Sequence, residues 1–227
     1  MRCICESLQV PNNNYLCLRL KRVLLLTVFV FSIQASAYDG DDLKKLIKTR
    51  VCVECDLRKA SLHGMDLVGA NLSESKLNEA SLSEANLSKA DLWHADLTWA
   101  VIKRTNLSNA NLSSANLYGA LLWAANLESA NLVGANLTGA NFYLADMGGA
   151  NLTNANMIGA ILTRAYLQSA NLTGANLSKA TFMGTILKGA NLTKADLTDA
   201  DLTGALLRDT IFCRTTMPDG AINNIGC

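Results

Sequence analysis

From Leu57 to Phe212 an apolar residue occupies every fifth position without a break, and all 32 of these positions hold Leu, Ile, Met or Phe. The residue two before each is nearly always small: Ala in 26 of the 32, with Met65 the one large exception. The residue immediately before each is Asn or Asp in 21 of the 32. A period of five matches neither the 3.6 of an amphipathic helix nor the 2.0 of a half-buried strand. A fixed self-similar period is the mark of a repeat architecture. An inward Leu every fifth residue requires a chain that turns a corner every five residues, and the small Ala near each corner leaves room for the neighbouring Leu. Burial of each such Leu contributes roughly 1.5–3 kcal/mol.

The run Ala170 to Leu177 reads Ala-Asn-Leu-Thr-Gly-Ala-Asn-Leu, and Ala195 to Leu202 reads Ala-Asp-Leu-Thr-Asp-Ala-Asp-Leu. Ala135 to Phe142 differs from the first only in ending on Phe. These runs resemble the pentapeptide-repeat family, whose motif is Ala, then Asp or Asn, then Leu, then two variable residues. The resemblance implies an all-β solenoid: a right-handed quadrilateral β-helix with one repeat per side and the Leu and Ala turned inward. Four repeats make a coil of 20 residues, so residues 55–214 would form about eight coils, stacked roughly 4.8 Å apart. Stability then comes from intrinsic and nearest-neighbour terms, and both ends need caps.

The two ends read differently from the repeats. Arg19, Lys21 and Arg22, the apolar stretch Val23 to Ile33 and the small residues Ala35-Ser36-Ala37 predict a signal peptide over residues 1–37, with no stable membrane anchor after cleavage. The apolar stretch is short for a span of about 20 residues. Residues 38–54 predict a capping helix and lead-in. Leu43, Leu46 and Ile47 form one apolar stripe, and acids precede bases as the helix dipole favours. At the other end Met217-Pro218-Asp219-Gly220 is a turn that stops the repeats and opens a cap tail over residues 215–227.

Seven cysteines are present, and Cys3, Cys5 and Cys17 would leave with the signal. On the implied solenoid Cys52 and Cys55 lie at the first coil and Cys213 and Cys227 at the last. Cross-pairing would exceed the limit of about 7 Å between bridged Cα atoms, which leaves Cys213–Cys227 as the expected bond of an oxidising compartment. Cys55 fills the inward slot that Ala fills elsewhere, so its role is a core residue or half of a local disulfide rather than a redox centre. No metal is expected, because only two thiols and His63 are local. His63 and His94 fall on different sides of the solenoid, and no Ser-His-acid or Cys-His constellation can be assembled. No catalytic residue and no cofactor are therefore expected. Glu74, Glu79 and Glu84 fall at outward corner positions and read as solvated charge.

Charge narrows the partners. Beyond residue 37 the chain holds 16 basic and 18 acidic residues. Neither a nucleic-acid binder nor a strongly acidic nucleic-acid mimic fits that balance.

Departures from the motif carry the remaining signal. We number the sides by their central residues: side one contains Leu57, side two Leu62, side three Leu67 and side four Leu72, each recurring every 20 residues. The outward Asn or Asp is replaced in eleven repeats, six on side two and three on side three. On side two Val101, Leu121 and Ile161 align. One column over, Trp123, Tyr143 and Met183 point outward, and Ala124 and Leu144 extend the area. An apolar patch of this kind marks a partner surface. Side four keeps Asn71, Asp91, Asn111, Asn131, Asn151, Asn171 and Asn191 in one line, which reads as structural.

The expected function is a non-enzymatic exported scaffold or protein-binding module. Its partner would be an unidentified protein, or a second copy held through one β-helix side. The family resemblance implies a periplasmic or thylakoid-lumen setting. The alternative that it implies is a topoisomerase-protecting DNA mimic, which the near-neutral charge and the signal peptide disfavour.

Overall fold

The computed structural model describes residues 38–227; the expected signal peptide lies outside the described residues. Each five-residue unit is closed by the same small set of bonds. In the unit beginning at Asn111, its Oδ1 accepts from the Ser113 N–H at 3.2 Å. The Leu112 carbonyl accepts from the Ala115 N–H at 3.1 Å. The second corner residue, Ser114, adopts φ 56°. A positive φ at the third residue of the four-residue turn is the type II pattern, which favours Gly. All 32 corners from Lys59 to Arg214 share it, and only 11 of them use Gly.

Successive coils are joined by 30 isolated parallel bridges, from Val51↔Asn71 to Asp196↔Thr216, each linking residues 20 apart. No inserted residue breaks this register. Every coil contributes both partners: the Leu112 N–H donates to the Asn131 carbonyl at 2.7 Å, and the Asn131 N–H donates to the Ala110 carbonyl at 2.9 Å. The result is a β-solenoid whose interior is a single column of Leu and Ala, buried from Cys52 to Leu197. Where Ser or Thr replaces the inward Ala, its hydroxyl donates to a carbonyl inside: Ser75 to Leu72, Thr105 to Leu82, Thr185 to Leu162, Thr210 to Leu187 and Thr215 to Leu192. Among the described residues no buried side-chain nitrogen or oxygen lacks a partner.

The register runs one repeat further at each end than the Leu pattern shows. Cys52, fully buried, takes the Leu place in the unit that Val51 opens, so the stacking starts at Val51 rather than near Cys55. Met217 packs partly against the core in the unit that Thr216 opens.

Helix α1 (Gly40–Thr49) precedes the first coil. Asp39 is its N-cap, accepting from the Asp41 N–H at 2.8 Å, and Arg50 ends it at φ 58°. Leu46 is fully buried and Leu43 partly so, but Ile47 is 57% exposed. The expected three-residue stripe is thus only two wide. The helix docks by the edge that carries Asp42, whose carboxylate accepts from the Asp56 N–H at 2.8 Å, and this turns Ile47 outward.

At the far end, strands β1 (Thr215–Thr216) and β2 (Ile222–Asn223) pair antiparallel around the turn closed by Gly220, whose N–H donates to the Met217 carbonyl at 2.9 Å. The tail continues so that Ile225 accepts from the Phe212 N–H at 2.8 Å. Cys213 and Cys227 form a disulfide with Cα atoms 4.7 Å apart, and Cys52 and Cys55 form a second at 5.3 Å.

Candidate functional site

Side two is built by the bridges Ser81↔Val101, Val101↔Leu121, Leu121↔Asn141, Asn141↔Ile161 and Ile161↔Thr181. Val101, Leu121 and Ile161 therefore share one outward column, interrupted by Asn141. Val101 and Leu121 are half-buried and Ile161 is 40% exposed. In the corner column beside them the Trp123 and Tyr143 rings stack, 6.5 Å between centroids and 14° between planes. The Arg104 guanidinium lies 5.3 Å from the Trp123 centroid, within the range of a cation–π contact. Met183, in the same column, is 45% exposed.

These apolar residues give up a bond that the motif supplies elsewhere. An Asn or Asp at the outward position accepts from the N–H two residues on, as Asn141 does from Tyr143 at 2.9 Å. Val101, Leu121 and Ile161 have no side-chain acceptor, so the N–H groups of Lys103, Trp123 and Thr163 lose that partner. Each such bond is worth about 0.5–1.5 kcal/mol. The side-two residues thus cost local turn stability.

Catalytic and metal chemistry find no comparable arrangement among the described residues. Asp42, Cys52 and Cys55 place ligand-type atoms within 4.8 Å of one another. The two sulfurs are bonded to each other, and a metal needs thiolates. No helix among the described residues is long and apolar enough to cross a membrane.

The sequence profile described as Pentapeptide repeats matches eight copies between residues 51 and 214. The chain belongs to the pentapeptide-repeat family. Among solved structures, it is 32% identical to HetL, a pentapeptide repeat protein involved in heterocyst differentiation regulation from the cyanobacterium Nostoc. That match covers 82% of this chain and 99% of HetL, with a TM-score of 0.33. It is 30% identical to a pentapeptide repeat protein from the Arabidopsis thaliana thylakoid lumen, over 46% of this chain and 66% of that one, with a TM-score of 0.32. A trypsin-treated variant of QnrB1, a plasmid-mediated fluoroquinolone resistance protein, shares the fold at 21% identity, over 66% of this chain and 88% of that one, with a TM-score of 0.50. No curated protein matches the chain.

Within this pentapeptide-repeat protein the apolar surface reaches further than the expected six residues. On the corner between sides one and two, Trp99 is 55% exposed and meets Tyr118 edge-on, centroids 5.2 Å apart. Both occupy variable positions of the repeat, which hides them. The signal was there at a spacing of 20: Gly119 stacks on Trp99, and a Cβ built on it would lie under 3.0 Å from three indole carbons. Glycine clears the floor for the ring.

Side four of the pentapeptide-repeat solenoid shows the opposite character. Asn111 donates through Nδ2 to Asp91 at 2.8 Å, Asn131 to Asn111 at 3.2 Å and Asn171 to Thr153 Oγ1 at 3.0 Å. There the polar column bonds coil to coil and leaves little unused chemistry.

Proposed function

We propose that this pentapeptide-repeat protein is a non-enzymatic exported scaffold that binds a protein partner, or a second copy of itself, through side two. Its frame is a right-handed quadrilateral β-helix of about eight coils, closed by α1 at one end and by the tail over residues 215–227 at the other. The observation that carries the reading is the single bridged column of Val101, Leu121 and Ile161 with Trp123, Tyr143 and Met183 beside it, on a molecule whose side four keeps its Asn ladder. Large aromatic anchors in such patches dominate binding energy, each worth about 2 kcal/mol or more.

Export is supported by the basic, apolar and small-residue segments of residues 1–37 and by two cysteine pairs, which persist in oxidising compartments. The compartment in this reading is a periplasm or a thylakoid lumen, as the family resemblance implies. The reading as a DNA mimic fares worse: residues 55–214 hold 13 acids and 12 bases, far from the acidic surface that such mimicry needs.

The test is capture of binding partners from a periplasmic or lumenal extract with the wild-type protein and with the double variant Leu121→Asn, Trp123→Ser, alongside sedimentation of both. The double variant should keep its fold and lose the partner, or dissociate a homodimer. Undiminished binding by a folded double variant removes side two from the function.

A further inference from the structure

At the corner between sides two and three, one flat group per coil stacks on the next: Arg104 over Trp123, and Trp123 over Tyr143. One coil further the stack stops. The position holds Thr163, too short to reach, and the next coil brings Met183. Around this level lies an open surface cavity of about 430 Å³ lined by Tyr143, Thr163, Arg164, Met183 and Gly184 and reaching Thr203, one coil past Met183. The register is unbroken across it, since Asn141↔Ile161 and Ile161↔Thr181 both pair. The Leu144 N–H reaches the Thr163 carbonyl at 3.3 Å, against 2.9 Å for the equivalent bonds of Ala124 and Arg164. The lengthening is confined to the corner, since the Phe142 N–H reaches the Ile161 carbonyl of the same coil at 2.7 Å.

The size of the gap follows from the coil spacing. Tyr143 and Met183 are two coils apart, or roughly 9.6 Å at 4.8 Å per coil. One planar ring at the empty level would lie about 4.8 Å from each. Stacked aromatic rings favour centroids 4.5–7 Å apart, and a thioether sulfur meets a ring at about 5 Å. The missing rung is therefore the shape of one aromatic side chain.

Charge defines what accompanies the ring. Among the described residues the Arg164 guanidinium has no ion-pair partner, whereas Arg104 faces Glu84 at 3.8 Å. Segments 99–104, 119–124, 139–144 and 159–164 build side two over four coils. With the next segment, 179–184, they contain Lys103, Arg104, Arg164 and Lys179 and no acid, and Asp199 and Asp201 follow only in the coil beyond, at the far edge of the cavity. We propose that the gap is the anchor pocket of side two, taking an aromatic side chain from an acidic segment of the partner protein. The ring would sit between Tyr143 and Met183, with a neighbouring carboxylate on Arg164. This rests on the reading of side two as a protein-binding face.

The test uses fluorescence anisotropy of the purified exported protein with a labelled peptide Asp-Glu-Trp-Glu-Asp. The same peptide with Ala for Trp, and Lys-Lys-Trp-Lys-Lys, serve as controls. The acidic Trp peptide should bind at least about tenfold more tightly than either, as loss of one anchor implies. Thr163→Phe fills the missing rung from an outward position that already holds Trp123 and Tyr143 in other coils. It should weaken the peptide by about tenfold or more with thermal stability unchanged. Arg164→Gln should weaken it and flatten its salt dependence. Three peptides binding alike, no saturable binding, or a folded Thr163→Phe protein that binds as wild type overturns the proposal. So does free phenylacetate competing as well as the peptide, which would make the pocket a small-acid site. A dimer that Thr163→Phe dissociates would assign the gap to a second copy and overturn the acidic partner. If the Leu121→Asn, Trp123→Ser protein loses its partner while Thr163→Phe keeps both partner and peptide, the pocket falls and the side-two reading stands. If the double variant keeps its partner while the peptide still needs Thr163 and Arg164, the side-two reading falls and the pocket stands.

Discussion

Trp99 holds φ 57°, a left-handed conformation that a bulky side chain adopts at a cost of order 1–3 kcal/mol. The turn bonds common to every corner hold it there, and the coil above seats the ring: Gly119 offers its bare backbone to the indole and Tyr118 meets it edge-on. Gly119→Ala should therefore destabilise twice over, through its own positive φ and through collision with the ring. Trp99→Ala removes only the second effect. A double-mutant cycle by chemical denaturation should show a coupling of about 1 kcal/mol or more between the two positions. Additive costs would mean that the ring swings aside freely. The inward positions were legible in the sequence because each accepts one kind of chemistry, so Leu and Ala recur. The corners were not, because 21 of the 32 positive-φ residues are not Gly. The Asn capping bond and the Leu-to-Ala turn bond hold the corner open to almost any residue. Trp99 and Gly119 become a pair only when the sequence is laid out in twenties.

At the scale of elements, the two ends depart most from the repeat and are secured differently. Around the first coil Arg58 donates to Asp56, and Arg50 donates to Asp66 at 2.8 Å. The Arg58 hydrogen bond holds the Asp56 carboxyl below its usual value of 3.8. The Val68 N–H, and after it Arg50, do the same for Asp66. Both folded values are depressed, so their contribution is complete above the unfolded carboxylate range and is lost as pH falls through the lowered folded values. Thermal stability should be level from neutrality to about pH 5 and decline below pH 4, with hydrogen exchange quickening first in the coil that follows α1. Arg58→Gln should shrink that acid decline; an unchanged pH profile would show that Asp56 contributes nothing to it. At the other end the Cys213–Cys227 bond closes a loop of 14 residues, and cross-links over loops of that size contribute about 3 kcal/mol to stability. Intact mass with and without alkylation should find both thiols blocked in native protein. Reduction should open the β1–β2 tail to trypsin at Arg214. Two free thiols in native material would refute the bond. The limits of the solenoid are hidden in the sequence because Cys52 stands in for Leu and because Met217, which keeps the spacing, also opens the turn Met217-Pro218-Asp219-Gly220 that reads as a stop; the helix stripe is one residue narrower than its spacing because Ile47 faces away from the docking edge.

At the scale of the whole molecule the four sides share one backbone and differ only in what they display, and this is where function and stability separate. Asn131 and Asn151 each cap a corner, accepting from the Val133 and Thr153 N–H groups at 3.3 and 3.2 Å. Asn151 also accepts from the Thr153 hydroxyl, and Asn131 donates to Asn111. Changing both to Ala removes about four bonds worth roughly 0.5–1.5 kcal/mol each. For a chain of this size each kcal/mol moves the melting temperature by about 2–4 °C, so the midpoint should fall by roughly 4–24 °C while partner capture is untouched. Leu121→Asn runs the other way. It installs the motif residue between Val101 and Asn141 and restores an acceptor to the N–H of residue 123, so with Trp123→Ser the melting temperature should hold or rise. Partner capture should be lost even so. Paired melting and capture measurements on these two double variants separate a display face from a structural one. If the side-two variant melts as low as the side-four variant, Leu121 and Trp123 are packing residues of the solenoid, and the assignment of binding to that side fails with them.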